Sequence, residues 1–274
     1  MIKRLTLLAV MLVPLTTPAD ELVEVAPGLM GKLHVPQDVE VTRTVLLLHG
    51  WQGSMDEVGN LFSDLASELG ARGIASLRFN FSGEGERVGY VVTSTIDSRI
   101  NESEQAYRYL SSRYPEATRG VLGFSLGGLT AMILAAEHPD WFQTMVLWSA
   151  ADAMLLRDGD PTYADAARAA VRDGRATYRT WAKTTLTREH LVSFVGVSAS
   201  EKLARYPGAY LTIRGDRDYL PSHDRKWLNI VPTSEKAFQL IGGADHIFNV
   251  LERPKPDYGD RVIRSSADWF ERTL

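Results

Sequence analysis

The apolar positions of this chain follow two patterns that alternate along its length. Short apolar runs are typical of strands that are buried within a sheet. These runs are residues 44–48, 74–79, 121–122, 144–148, 210–214 and 237–241. Apolar residues at helical spacing follow three of them, over residues 58–69, 97–113 and 262–270. The alternation predicts an α/β fold with a mainly parallel central sheet and helices on both faces.

Two local features are predicted near the start of this pattern. Residues 21–25 and 29–35 are β-like runs on either side of a Pro-Gly pair, and we expect an antiparallel hairpin at the sheet edge. Ser54 and Glu57 fit the S-x-x-E capping box, which predicts that a helix begins there.

Residues 151–207 interrupt the alternation between two predicted core strands. The segment is rich in Ala, Arg, Asp and Thr, and some of its turns have helical spacing. We expect an inserted helical cap over the mouth of the sheet, with residues 20–150 and 208–274 forming the core. Its candidate pocket-lining side chains are Tyr163, Tyr178, Trp181 and Phe194. For each of them the alternative is ordinary packing without ligand contact.

The first 19 residues differ in character from the rest. Two basic residues precede an apolar run over residues 5–15, and the segment ends in the small residue Ala19. This pattern is typical of a secretory signal peptide that is removed after Ala19. The run is too short to span about 30 Å of hydrocarbon, so we expect no stable membrane insertion after cleavage. The chain is therefore predicted to be exported to the periplasm or the exterior of a bacterium.

Composition limits the classes of protein to which the chain can belong. A chain of 274 residues is long enough for a sizeable core, and it has no cysteine with which to form disulfides. Its formal net charge of −4 lacks the basic footprint of nucleic-acid-binding proteins, so no nucleic-acid partner is expected.

The chemistry-bearing motif is G-x-S-x-G, which runs from Gly123 to Gly127 with Ser125 at its centre. An apolar strand precedes it, and residues 129–137 have helix-forming composition before Pro139. A strand that turns sharply into a helix exposes the central hydroxyl and directs the N–H groups of the helix toward it. Ser125 is therefore the predicted nucleophile.

A serine nucleophile needs a base, and the base needs a group that orients it. His246 is the predicted base because it lies in a Gly-rich loop after the last core strand, at the ligand-binding edge of the sheet. The acid is expected between the serine and the histidine along the chain. Asp218 is our choice; Asp216 is the alternative acid, and Asp224 could instead cap a helix that begins near Ser222.

The predicted oxyanion hole consists of two backbone N–H groups. One belongs to Leu126, directly after the nucleophile, and the other to Trp51, in the loop after the first buried strand. The Trp51 side chain is also a candidate wall of the acyl pocket.

Taken together, these motifs make the chain resemble an α/β-hydrolase-fold serine hydrolase over nearly all of its mature length. The segments that carry the resemblance are residues 49–54 (HGWQGS), 78–85 (RFNFSGEG), 123–127 (GFSLG), 215–218 (GDRD) and 245–246 (DH). Within that superfamily it is most similar to small bacterial carboxylesterases, including the feruloyl and cinnamoyl esterase group. It departs from that group at Asn80, where an acidic residue is usual, and at Glu86-Arg87.

The expected function is hydrolysis of small-molecule carboxylic esters through an acyl-enzyme, with no metal and no cofactor. One alternative is a serine peptidase of the same fold, for which Glu84 and Glu86 are candidate partners of a substrate amino terminus. A more remote alternative is a binding module without catalytic activity. Acyl and alcohol preference and oligomeric state are left open by the sequence.

Overall fold

The computed structural model of the chain describes residues 20–84, 91–153, 161–179 and 183–274. The predicted signal peptide, Trp181 and Glu86 lie outside the described residues.

One large sheet organises these residues. Its eight strands have the spatial order β1-β2-β4-β3-β5-β6-β9-β10, and every pair from β4 to β10 is parallel. The strands are β1 (Asp20–Ala26), β2 (Leu29–His34), β3 (Arg43–Leu48), β4 (Ala75–Phe79), β5 (Thr118–Phe124), β6 (Thr144–Trp148), β9 (Ala209–Gly215) and β10 (Lys236–Ile241). The predicted antiparallel hairpin is confirmed, because β1 pairs with β2 at the sheet edge.

Helices cover both faces of this sheet, as the alternation predicts. The helices are α1 (Leu61–Ala71), α2 (Ile96–Arg113), α3 (Leu126–Glu137), α4 (Pro161–Asp173), α5 (Arg188–Ser193), α6 (Asp224–Ile230) and α7 (Tyr258–Thr273). Side chains of β3 alternate between the faces: Leu46 and Leu48 pack with α2 and α3, whereas Val45 and Leu47 pack with α1 and α7. Two apolar layers therefore enclose the sheet, and its carboxyl edge is left for loops.

The segment between β6 and β9 holds more than helices. It contains α4 and α5, but between them β7 (Arg175–Arg179) and β8 (Lys183–Thr187) form a separate antiparallel pair. Both strands are five residues long and mostly polar, so they lack the apolar run by which strands are recognised in a sequence. The hairpin is tied to the core because the Val92 N–H donates to the Thr185 carbonyl, 2.9 Å away.

The predicted capping box is wrong. Helix α1 begins at Leu61, after a short 3-10 turn over residues 58–60, and not directly after Ser54. The Glu57 side chain is almost fully buried, at 8% exposure, and it accepts a hydrogen bond from the Gly50 N–H at 2.8 Å. A loop outside the helix therefore uses the carboxylate that the pattern assigns to the helix.

Candidate active site

The turn from β5 into α3 has the strained geometry that a nucleophile elbow requires. Ser125 has φ 53° and ψ −114°, which is a conformation that side-chain-bearing residues rarely adopt. The flanking backbones approach so closely that a Cβ at Gly127 would lie 1.9 Å from the Leu48 carbonyl oxygen. A Cβ at Gly123 would lie 2.2 Å from the Gly127 carbonyl oxygen. Glycine is needed at both positions because backbone atoms occupy the space of a side chain.

The structure brings Ser125, His246 and Asp218 together in one hydrogen-bonded chain. The Nε2 atom of His246 lies 3.0 Å from the Ser125 hydroxyl oxygen, and its Nδ1 atom lies 2.8 Å from the Asp218 Oδ1 atom. The three residues follow β5, β10 and β9, whose carboxyl ends meet at the same edge of the parallel sheet. The arrangement can deprotonate the serine while the carboxylate fixes the imidazole.

Of the two candidate acids after β9, only Asp218 contacts the histidine. Its Oδ1 atom also accepts the Leu220 N–H at 2.9 Å, and its Oδ2 atom accepts from Arg214 at 2.5 Å. Asp216 instead accepts the Gly243 N–H, 2.7 Å away, and so fastens the turn after β10. The two carboxylates therefore have separate structural roles.

Asp224 does not act as the helix cap that the sequence allowed. It is fully buried in the first turn of α6, and its carboxylate accepts from Arg214 at 2.5 Å and from the hydroxyls of Thr212 and Ser222. Arg214 thus lies between two buried carboxylates, Asp224 and Asp218. No local pattern reveals this pair, because the partners are an arginine on a strand and an acid on the next helix.

The same contacts set the ionisation of Asp218. Burial alone would raise the pKa of this carboxyl. The hydrogen bond with His246 and the charges of His246 and Arg214 outweigh burial, so the pKa lies below its usual value. Asp218 is consequently ionised in the pH range where an imidazole base is neutral.

Two backbone N–H groups next to Ser125 have no acceptor in the described part of the chain. Leu126 is the first residue of α3, so its N–H has no partner within the helix. Trp51 lies in the loop after β3, and its N–H likewise donates to no acceptor there. This loop touches the elbow, because a Cβ at Gly50 would lie 3.3 Å from the Ser125 Cβ. The sequence predicted both N–H groups as the oxyanion hole.

His49, at the end of β3, has a structural position in this loop. Its Nδ1 atom lies 2.7 Å from the Gly50 carbonyl oxygen, and its Nε2 atom accepts the Phe81 N–H at 3.0 Å. Complete burial lowers the pKa of His49 to about 4, and the nearby charge of Arg99 acts in the same direction. A neutral ring with one donor and one acceptor therefore joins the loops after β3 and β4.

The candidate pocket side chains that the structure describes belong to one aromatic cluster, which also includes His190. The Trp51 ring packs edge-on against Tyr163 at 5.9 Å and is stacked with Tyr178 at 6.5 Å. It is also stacked with His190 at 6.2 Å, and His190 packs against Phe194 at 5.2 Å. The rings of Tyr163, Tyr178, His190 and Phe194 are all buried. Trp51 is partly exposed, and its side chain connects the loop after β3 with the segment between β6 and β9.

Sequence comparison assigns the chain to a family. A family model described as serine aminopeptidase, S33, matches residues 39–195, which is more than half of the 274 residues. The chain belongs to this family. The matched region includes Trp51 and Ser125 but ends before Asp218 and His246. No curated protein sequence matches this family member.

Solved structures similar to this serine aminopeptidase family member confirm the α/β-hydrolase fold. Est1E from Butyrivibrio proteoclasticus, in complex with ferulic acid, superposes with a TM-score of 0.73 at 16% identity, over 92% of this chain and 98% of that one. The esterase domain of a Rhodothermus marinus protein superposes with a TM-score of 0.64 at 19% identity, over 94% of this chain and 99% of that one. A monoacylglycerol lipase from Paleococcus ferrophilus superposes with a TM-score of 0.61 at 17% identity, over 90% of this chain and 99% of that one.

Across residues 20–84, 91–153, 161–179 and 183–274, no group of three or more His, Asp or Glu side chains is arranged to hold a metal ion. Within those ranges this family member also has no helix with the length and apolarity needed to cross a bilayer.

Proposed function

We propose that the chain is a serine hydrolase that cleaves small-molecule carboxylic esters through an acyl-enzyme. The observation that carries this proposal is the hydrogen-bonded chain from Ser125 through His246 to Asp218, with the unbonded N–H groups of Trp51 and Leu126 beside it. Three of the similar structures are described as an esterase domain, a lipase and a ferulic acid complex. These descriptions support an ester substrate.

In the first half-reaction the Ser125 hydroxyl oxygen attacks the ester carbonyl carbon while His246 takes the hydroxyl proton. The negative charge that forms on the carbonyl oxygen is stabilised by the N–H groups of Trp51 and Leu126. The bond to the alcohol oxygen then breaks, and His246 returns the proton to the leaving alkoxide. Asp218 holds the imidazole in one tautomer and stabilises its positive form.

In the second half-reaction water takes the place of the alcohol. His246 removes a proton from the water, whose oxygen attacks the acyl carbon. The carboxylic acid leaves as Ser125 regains its proton. The residues present therefore provide a base, an acid and an oxyanion site for both halves.

The test compares the protein without residues 1–19 with its Ser125→Ala variant on p-nitrophenyl butyrate and methyl ferulate. We expect hydrolysis by the first protein and none by the variant, with unchanged thermal unfolding. Full activity in the variant would refute the assignment of Ser125. Cleavage of butyrate alone indicates a short acyl pocket, and efficient cleavage of ferulate indicates an aryl slot.

A serine peptidase is the second candidate, because the family is described as serine aminopeptidase. Glu84 weighs against it. Its side chain is fully buried and paired with Arg99 at 2.7 Å, so it is not free to bind a substrate amino terminus. Preferential cleavage of aminoacyl nitroanilides over esters would favour the peptidase. Failure of a fluorophosphonate to label Ser125 would favour a module without catalytic activity.

Export is a further part of the proposal. Residues 1–19 have the composition of a secretory signal, and Asp20 would become the first residue of the mature chain. N-terminal sequencing of protein recovered from the periplasm or medium tests this directly. An N-terminus at Met1 would contradict cleavage.

A further inference from the structure

Residues 50–53, a four-residue loop after β3, leave one backbone N–H for the substrate because the other three N–H groups are taken. The Gly50 N–H donates to Glu57 at 2.8 Å, and the Gln52 N–H donates to Glu84 at 3.0 Å. The Gly53 N–H donates to the Gly50 carbonyl oxygen at 3.1 Å. Among residues 50–53, only the Trp51 N–H has no acceptor in the described part of the chain, and it lies between the N–H groups that Glu57 and Glu84 bind.

The side chains of Glu57 and Glu84 hold this loop in place. Glu57 packs directly against it, since a Cβ at Gly53 would lie 2.7 Å from one carboxylate oxygen and 2.8 Å from the other. Glu84 is fixed by Arg99, whose guanidinium also donates to the His49 carbonyl oxygen at 2.6 Å. Arg99 therefore binds the backbone at His49, before Trp51, and Glu84 binds it at Gln52, after Trp51.

This arrangement is costly for a purely structural contact. The side chains of Arg99 and Glu84 are both completely buried. Removing charges from water costs several kcal/mol per ion, and apolar side chains of the same volume often stabilise a fold as well or better. Glu57 adds a third ionisable group to the same region, where burial raises its pKa to about 7. Three buried ionisable groups beside one four-residue loop point to a role beyond stability.

We propose that Glu57 and Glu84, with Arg99 behind Glu84, are positioning residues that aim the Trp51 N–H at the developing oxyanion. This rests on the proposed function only as far as Ser125 is a nucleophile and Trp51 an oxyanion donor. It does not depend on whether the substrate is an ester or a peptide. The carboxylates act through the loop and touch no reacting atom.

The test measures the rate at which a fluorophosphonate labels Ser125, followed by intact-protein mass. In this reaction the Ser125 oxygen forms a bond to phosphorus, fluoride leaves, and His246 takes the proton. The phosphoryl oxygen occupies the oxyanion hole, so the rate reports on the hole without an ester. For Glu84→Gln we expect a labelling rate about tenfold to a hundredfold lower, below the loss seen when a donor is removed outright.

Two further variants keep the result interpretable. Arg99→Lys retains a cation beside Glu84 but loses the fork that reaches the His49 carbonyl, so a smaller loss is expected. Glu104→Gln is the matched control. Glu104 on α2 pairs with Arg108 and His138 at 2.9 Å and makes no contact with the loop, so its labelling rate should not change. If Glu84→Gln does not fold, Arg99→Lys and Glu57→Gln carry the test.

Steady-state kinetics separate positioning from general damage. Positioning predicts that kcat falls while KM stays within about twofold, because the oxyanion contact is made mainly in the transition state. Folded variants that label at the rate of the unaltered protein would overturn the proposal. Normal labelling of the unaltered protein without ester hydrolysis would instead refute the proposed substrate class and leave this test intact.

Discussion

Replacing Glu57 with Gln should remove a pH dependence from the stability of the protein. Burial is the largest influence on this carboxyl and raises its pKa from 4.5 to about 7, against the hydrogen bonds from the Gly50 and Val58 N–H groups. The folded protein therefore holds the proton more tightly than the unfolded chain does. Unfolding releases it between the two pKa values, so the free energy of unfolding falls as pH rises through that window.

The magnitude follows from the size of the shift. The full difference between the two pKa values corresponds to about 3 kcal/mol of stability, which is present below the lower value and lost above the upper one. Between about pH 5 and pH 8 the unaltered protein should lose about 2–3 kcal/mol relative to Glu57→Gln. Titrations common to both proteins cancel in this difference.

Urea unfolding followed by tryptophan fluorescence, repeated across that pH range, measures the two free energies. Asp173→Asn is the control, because a hydrogen bond from Arg172 lowers the pKa of this exposed carboxyl. The stability that this lowered pKa contributes is present above the ordinary pKa of the carboxyl and disappears only in stronger acid. The difference in unfolding free energy between the unaltered protein and Asp173→Asn should therefore be flat from about pH 5 to pH 8. A flat difference for Glu57→Gln as well would refute the reasoning that burial keeps this group protonated near neutrality.

Three other outcomes are expected. Gly127→Ala should unfold the protein or abolish its expression, since its Cβ would lie 1.9 Å from a carbonyl oxygen. Gly174→Ala is the control: its Cβ has open space but the residue has φ +92°, so this change should cost only about 1 kcal/mol of unfolding free energy in urea. Asp218→Asn should lower kcat by roughly 10⁴ with little change in KM, because the imidazole tautomer is no longer fixed; a loss below about tenfold would contradict this role. EDTA should leave the hydrolysis rate unchanged, and inhibition that added Zn²⁺ reverses would contradict a metal-free mechanism.

The sequence predicted the parts of this structure that local patterns encode. Buried strands such as β3 are continuous apolar runs, and the glycines around Ser125 mark a turn that larger residues cannot make. The order of Ser125, Asp218 and His246 along the chain suffices to nominate them, because parallel strands bring their carboxyl ends to one edge.

What the sequence did not predict depends on contacts between distant segments. Glu57 matches a capping pattern, yet its side chain accepts the Gly50 N–H and packs against Gly53 in the folded loop. The pairing of Arg99 with Glu84 joins a helix to a loop, and no local pattern in the sequence indicates that these two residues meet. The β7-β8 hairpin is equally hidden, because its strands are short and polar.

The contact between Trp51 and the segment between β6 and β9 has a consequence for engineering. Gln52, next to Trp51, donates its side-chain amide to the Thr184 hydroxyl on β8, while the Trp51 ring packs against aromatic side chains of the same segment. A chimera that takes residues 151–207 from a relative would therefore change the surroundings of a proposed catalytic donor along with the pocket. Such grafts should reduce turnover on every substrate unless the transplanted segment supplies a matching hydroxyl and matching rings. Exchange of this segment should therefore change substrate selectivity and turnover rate together.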